Sequence, residues 1–109
     1  MTKNTNVLDQ LYSVIESRKN NNTETSYTAM LMAQGMQKIT QKLGEEAVEV
    51  IIASLVENEK KVIEESADLL YHLLVLWAKK GVKPENVWKE LHRREGLSGI
   101  LEKAARKSD

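Results

Sequence analysis

The sequence predicts an all-α chain, folded as an antiparallel four-helix-bundle-like domain. Three observations point there. Apolar residues recur at helical spacing through most of the chain. No alternating apolar–polar run of the kind a half-buried strand requires is present. The single proline, Pro84, stands where a helix can begin rather than inside one.

Each element follows in order. Val7, Leu8, Leu11, Tyr12 and Ile15 give a first helix from Val7 to Arg18, with Asn6 as its N-cap. Lys19 to Thr23 breaks the pattern as a polar loop. Ser26 can cap a second helix that starts at Tyr27. Gly35 marks a kink or a brief stop. The pattern then resumes at Met36 and runs to Val56 through Ile39, Leu43, Ala47, Val50, Ile51 and Leu55. Asn58 reads as its C-terminal stop. A third helix runs from about Lys60 to Lys80 and ends at Gly81. Pro84 fits the first position of a fourth helix, with Glu85 in its first turn. Val87, Trp88 and Leu91 form its apolar side, and Gly96 ends it. Ser98 to Asp109 forms one more short helix, with Lys103, Arg106 and Lys107 late in it. Short loops between the helices imply antiparallel neighbours. One domain is expected to span residues 1 to 109.

A chain of 109 residues buries limited surface by itself. The third helix is apolar nearly all round, more than one bundle face needs. A homodimer in which part of it packs on a second copy is therefore expected. With two Trp, three Tyr and no Phe, the core is built from Leu, Ile, Val and Met, and Met30, Met32 and Met36 read as filler within it. Lysine and arginine balance aspartate and glutamate at 16 each. No bulk basic field for nucleic acid or a membrane surface exists, so any bound anion needs a local cluster. Cysteine is absent, which excludes disulfides and thiolate zinc sites. Met1 to Asn6 lacks the apolar run of a signal peptide. Leu69 to Ala78, the longest nearly charge-free run, is too short to span a bilayer. A cytoplasmic location is the expectation.

Chemistry concentrates in acids on two helices. Glu45, Glu46 and Glu49 fall within an arc of about 100° on one side of a helix. Glu65 and Asp68, at i and i+3, share a side of the next. The first stripe continues as Ile52, Ala53 and Val56, the second as Leu69, His72 and Leu76. Carboxylates at the N-terminal ends of two buried helices would then face each other. Unpaired carboxylates in a core pair, protonate or bind metal. Neither apolar run contains a basic residue, which favours an oxygen-rich cation site suited to Mg²⁺ or Mn²⁺. The plain alternative is a pair of solvated acidic helix starts, as read for Glu64.

Cations lie nearby. Lys38 and Lys42 sit one turn apart, just before the acids, placed either to hold phosphate oxygens or to pair along the helix. His72, at i+4 from Asp68, is either a satisfied core histidine or a neighbour of the metal acids; Tyr71 reads as packing. Arg93, Arg94, Lys103 and Arg106 either complement helix C-termini or clamp phosphate. Several carboxylates, a divalent ion and basic residues are the parts of phosphoryl or nucleotidyl hydrolysis. No glycine-rich phosphate loop and no Ser/His/Asp set is evident.

Glu45-Glu46-Ala47-Val48-Glu49, fifteen intervening residues, then Glu65-Ser66-Ala67-Asp68 resembles the EExxE…ExxD signature of the all-α nucleoside triphosphate pyrophosphohydrolases. Four further blocks are similar to the phosphoribosyl-ATP pyrophosphohydrolase family. They are Ser26-Tyr27-Thr28-Ala29, Gln41 to Ala47, Asp68 to Leu74, and Ser98-Gly99 with Glu102 to Arg106. The resemblance covers about residues 7 to 106. It implies Mg²⁺-dependent hydrolysis of phosphoribosyl-ATP between the α and β phosphates, giving phosphoribosyl-AMP and pyrophosphate, the second step of histidine biosynthesis. It also implies a homodimer.

On the matching positions it implies Glu46, Glu49, Glu65 and Asp68 as metal ligands, with Glu45 a further ligand or a group that orients water. Lys42 and Lys103 would bind phosphates, with Arg106, Arg93 and Arg94 as further candidates. Tyr27 and Thr28 would line the substrate site, and His72 would stand just behind the ligands. No block resembles the cyclohydrolase fused to this enzyme in some organisms, so a separate protein is expected to take the next step. Where relatives often carry a proline, this chain has Asn20 to Thr23. Two rival readings are a house-cleaning pyrophosphohydrolase acting on stray nucleoside triphosphates and a non-enzymatic helical dimerisation module.

Overall fold

The computed structural model describes residues 6–106. Met1 to Thr5 and the tail residue Lys107 lie outside the described residues. Six helices follow one another, with no strand among the described residues: α1 (Val7–Arg18), α2 (Tyr27–Gln34), α3 (Met36–Val56), α4 (Glu59–Lys80), α5 (Pro84–Arg94) and α6 (Gly99–Arg106). Among the described residues no helix is long and apolar enough to cross a membrane.

Local chemistry sets the boundaries. Asn6 Oδ1 accepts from the backbone amides of Leu8 and Asp9 at 3.1 Å and starts α1. Ser26 Oγ accepts from the Ala29 amide and starts α2. Gly35 sits at φ 93°, ψ 178°, a conformation that side chains resist, and it separates α2 from α3 completely. The loop before α2 is organised by Asn22. Its side chain accepts from the Glu24 amide at 2.7 Å, and its carbonyl accepts from the Thr25 and Ser26 amides. Gly81 adopts the left-handed conformation and closes α4. One expectation is corrected. Asn58 does not end the helix before it; it caps the helix after it, its side chain accepting from the Lys61 amide at 3.0 Å. Its φ of −113° is extended, not left-handed, so it serves as an N-cap.

The core gathers Ile15 of α1, Leu31 and Met32 of α2, Ile39 of α3, and Leu74, Val75 and Ala78 of α4. Met36, Tyr71, Leu76 and Trp77 pack around it. The chain therefore uses Met32 and Met36 as the core filler their composition suggests. The most extensive pairing is α3 with α4, followed by α1 with α4 and α2 with α3. Only Glu57 and Asn58 separate α3 from α4, so α4 folds back along α3. Helix α5 is pinned to the body by an edge-to-face contact of Trp88 with Trp77 and by Trp88 Nε1 donating to Asp9 at 2.9 Å. Tyr12 Oη adds a bond to the Val82 carbonyl.

Two details of burial differ from the sequence reading. The acids of α3 lie mid-helix rather than at its N-terminal end, because Gly35 starts α3 three turns earlier. The apolar surplus is also carried chiefly by α3. Val48, Ile51, Ile52, Leu55 and Val56 are all exposed, Leu55 at 77%, joined by Ile63 and Leu70 of α4.

Candidate functional site

The α3–α4 hairpin brings acids from two helices to one place. Carboxylate oxygens of Glu46, Glu49 and Glu65 lie within 4.8 Å of one another. Glu46 is buried, Glu65 half-buried and Glu49 exposed. Glu65 Oε1 is buried and has no hydrogen-bond partner among the described residues. Burial, then the charges of Glu49, Asp68 and Glu46, push the Glu65 carboxyl above its ordinary value. A buried carboxylate oxygen without a donor is costly. A hard divalent cation would supply what it lacks, since such ions take carboxylate oxygens as ligands. The donor set therefore fits Mg²⁺ or Mn²⁺.

Asp68 lies one turn beyond Glu65, is exposed, and stands outside this group of three while still acting on Glu65 by its charge. Glu45 faces the other flank. It accepts from Gln41 Nε2 at 2.9 Å and pairs with Lys42 at 3.4 Å. These two partners, with Lys38 further off, hold its carboxyl below the usual range. Lys42 in turn is held above its ordinary value, first by the bond to Glu45 and then by the neighbouring Tyr27. Lys42 thus stands beside Glu45, next to the acid cluster.

A polar relay runs behind the acids. His72 is buried; its Nδ1 lies 2.8 Å from the Asp68 carbonyl, and its Nε2 lies 3.1 Å from Tyr27 Oη. The carbonyl can only accept, so His72 Nδ1 donates to it, and in a neutral ring Nε2 accepts from the tyrosine. Tyr27 also stacks on Tyr71, with ring centroids 6.0 Å apart. The Tyr71 hydroxyl shares a 2.5 Å hydrogen bond with buried Thr28. Burial pushes the Tyr71 hydroxyl up, against the Thr28 bond and the charge of Arg18. Tyr71 is therefore more than packing, and Arg18 belongs to this neighbourhood.

The C-terminal cations gather elsewhere. Arg93, Arg94 and Arg106 converge on Glu102, itself only 4% exposed, at 2.5, 3.4 and 2.8 Å. Arg93 and Arg94 also bind Glu90, whose carboxyl is pulled down to about 2 by those two guanidiniums. These arginines clasp α6 to α5. Lys103, on the same short helix, is exposed.

Sequence reasoning missed Arg18 and the hydroxyl pairing of Tyr71. The signal for Arg18 was present: it follows Leu11 and Ile15 at i+7 and i+3, on the stripe of α1 that turns inward.

Comparison with known proteins places the chain among named relatives. The model of the family described as phosphoribosyl-ATP pyrophosphohydrolase matches residues 8–95. A phosphoribosyl-ATP pyrophosphatase of Paramagnetospirillum magneticum is 55% identical over 106 residues, covering 97% of both chains. One of Rhodospirillum rubrum is 58% identical, over 93% of this chain and 86% of that one. One of Azospirillum brasilense is 55% identical, over 94% and 92%.

Proposed function

The chain belongs to the phosphoribosyl-ATP pyrophosphohydrolase family, and from that premise we propose how its residues carry the family's reaction. It hydrolyses phosphoribosyl-ATP to phosphoribosyl-AMP and pyrophosphate in histidine biosynthesis. Glu46, Glu49 and Glu65 hold Mg²⁺, with Asp68 completing the set from the next turn. The observation that carries this reading is the meeting of three carboxylates from two helices, one oxygen of Glu65 being buried without a donor. When bound, Mg²⁺ polarises the phosphate oxygens and stabilises the leaving group.

The chain's own side chains do the rest. Lys42, paired with Glu45 beside the acid cluster, neutralises phosphate charge as the bond between the α and β phosphates breaks. Glu45 stands outside the three-carboxylate group and is kept ionised by Gln41 and Lys42. Of its two sequence-level roles this favours orienting water, whose oxygen bonds to phosphorus while the pyrophosphate oxygen departs. Tyr27 and Thr28 line the substrate side. His72 acts through others, fixing Tyr27 on one face and the α4 backbone at Asp68 on the other. Lys103 and Lys38 serve as outlying cations, while Arg93, Arg94 and Arg106 are taken up by Glu90 and Glu102.

The domain is a four-helix bundle of α1 to α4 that works in the cytoplasm as a homodimer. The exposed row Val48, Ile51, Ile52, Leu55 and Val56 supports the pairing, since so contiguous an apolar face is rarely left to water. The product passes to a cyclohydrolase activity.

The test is pyrophosphate release from phosphoribosyl-ATP with Mg²⁺, alongside a panel of ordinary and damaged nucleoside triphosphates. Glu49→Ala should lower kcat by at least about a hundredfold, as loss of a ligand that anchors the metal requires. Undiminished turnover in that variant would remove the acid cluster from the mechanism. Preference for a nucleoside triphosphate over phosphoribosyl-ATP would overturn the substrate.

A further inference from the structure

A cavity of about 430 Å³ opens where the end of α1 meets the start of α2. Arg18, Asn21, Thr25, Tyr27, Thr28 and Tyr71 are among the residues that line it. Its character is opposite to that of the acid cluster. No acidic residue lines it, and Arg18 is its one charged group. Arg18 is exposed and joins no ion pair among the described residues, unlike its neighbour Lys19, which pairs with Glu16 at 3.0 Å. Asn21 and Thr25 add polar groups beside it. The first turn of α2 also borders the space, and its aligned dipoles favour negative charge there.

The cavity is joined to the reaction centre by a shared wall. Tyr27 lines it, and the same side chain bonds His72, whose other ring nitrogen is held by the Asp68 carbonyl beside the acids. A ligand whose polyphosphate lies at Glu46, Glu49 and Lys42 would thus pass Tyr27 and reach Arg18 with its far end. Phosphoribosyl-ATP is such a ligand: beyond the base it carries a second ribose with its own phosphate, which an ordinary nucleoside triphosphate lacks. We propose that this cavity takes the phosphoribosyl arm and that Arg18 binds its phosphate, so that Arg18 selects phosphoribosyl-ATP over plain nucleoside triphosphates. A guanidinium suits the task because its fixed fork of donors matches phosphate oxygens.

The inference rests on the activity proposed above, and one set of assays separates the two. Steady-state kinetics with phosphoribosyl-ATP and with ATP are compared for the wild type, Arg18→Gln, Arg18→Lys and Asn21→Asp. For Arg18→Gln, KM for phosphoribosyl-ATP should rise about ten- to a hundredfold, the range for a charge-assisted contact, with kcat within about twofold because the reacting bond lies at the other end. KM for ATP should stay put. Arg18→Lys should recover part of the loss, and Asn21→Asp, which places a negative charge in the cavity, should raise the same KM. Both positions are exposed, so folding is retained, as melting curves will verify. Equal KM values in Arg18→Gln and wild type would overturn the role of Arg18. A wild type inactive on phosphoribosyl-ATP would overturn the proposed activity, and this inference with it.

Discussion

Glu65, as a proposed metal ligand, would hold function at the expense of stability. Its Oε1 is buried without a donor, and three other acids act on it. In the absence of a cation this crowding opposes folding, because like charges and desolvation both disfavour the ionised group. Glu65→Gln should therefore melt higher than the wild type in a chelator, while losing about a hundredfold or more in turnover. Adding Mg²⁺ should raise the melting temperature of the wild type and leave the variant nearly unmoved, since a ligand stabilises only the state that binds it. Calorimetric melts with and without the ion check both signs. The acids were legible in the sequence because their spacing on a helix is fixed. Which of them touch was not. Helical period placed Glu45 beside Glu46, yet the crossing of α3 with α4 turned only Glu46 and Glu49 toward Glu65, and that crossing depends on side-chain packing no periodicity reports.

At the scale of elements, the boundaries were nearly all readable. Asn6, Ser26, Gly81 and Pro84 act where their chemistry says they should. Asn58 was readable only as a boundary. An asparagine serves either end of a helix, and its extended backbone settled which. The clasp between α5 and α6 was not readable at all, since three arginines complement helix C-termini equally well when they point at water. The clasp has a pH signature. Its Glu90 carboxyl is lowered from 4.5 to about 2 by Arg93 and Arg94. Burial alone would raise Glu102, but its bond to Arg93 and the charges of Arg106 and Arg94 bring it down on balance. A lowered folded-state value adds stability above about pH 4.5 that is lost as pH falls toward 2. Acid titration by far-UV circular dichroism should show α5 and α6 loosening through that window, and Glu90→Gln should remove much of the step at the cost of a weaker clasp at neutral pH.

The whole chain is looser than its length requires. Its radius of gyration is 16.1 Å, against about 13 Å for a compact chain of this size. The thin attachment of α5 and α6 contributes. If α3 pairs two copies, Leu55→Asp together with Ile51→Asp should shift sedimentation from dimer to monomer, because a charge buried in such a contact costs several kcal/mol. Unchanged sedimentation in the double variant would place the contact elsewhere. The apolar excess of the third predicted helix points to dimerisation; the structure puts the surplus on α3, which helical spacing cannot locate without knowing which face α4 covers.

The link of Glu57 and Asn58 has a further consequence. Because α3 and α4 are consecutive and joined almost directly, Glu49 and Glu65 meet across fifteen intervening residues. Closing so short a stretch costs little chain entropy and happens early. The proposed metal site would thus be assembled by the most local tertiary event in the molecule, and nascent chains are expected to acquire any affinity for the ion while synthesis of the last helices is still under way.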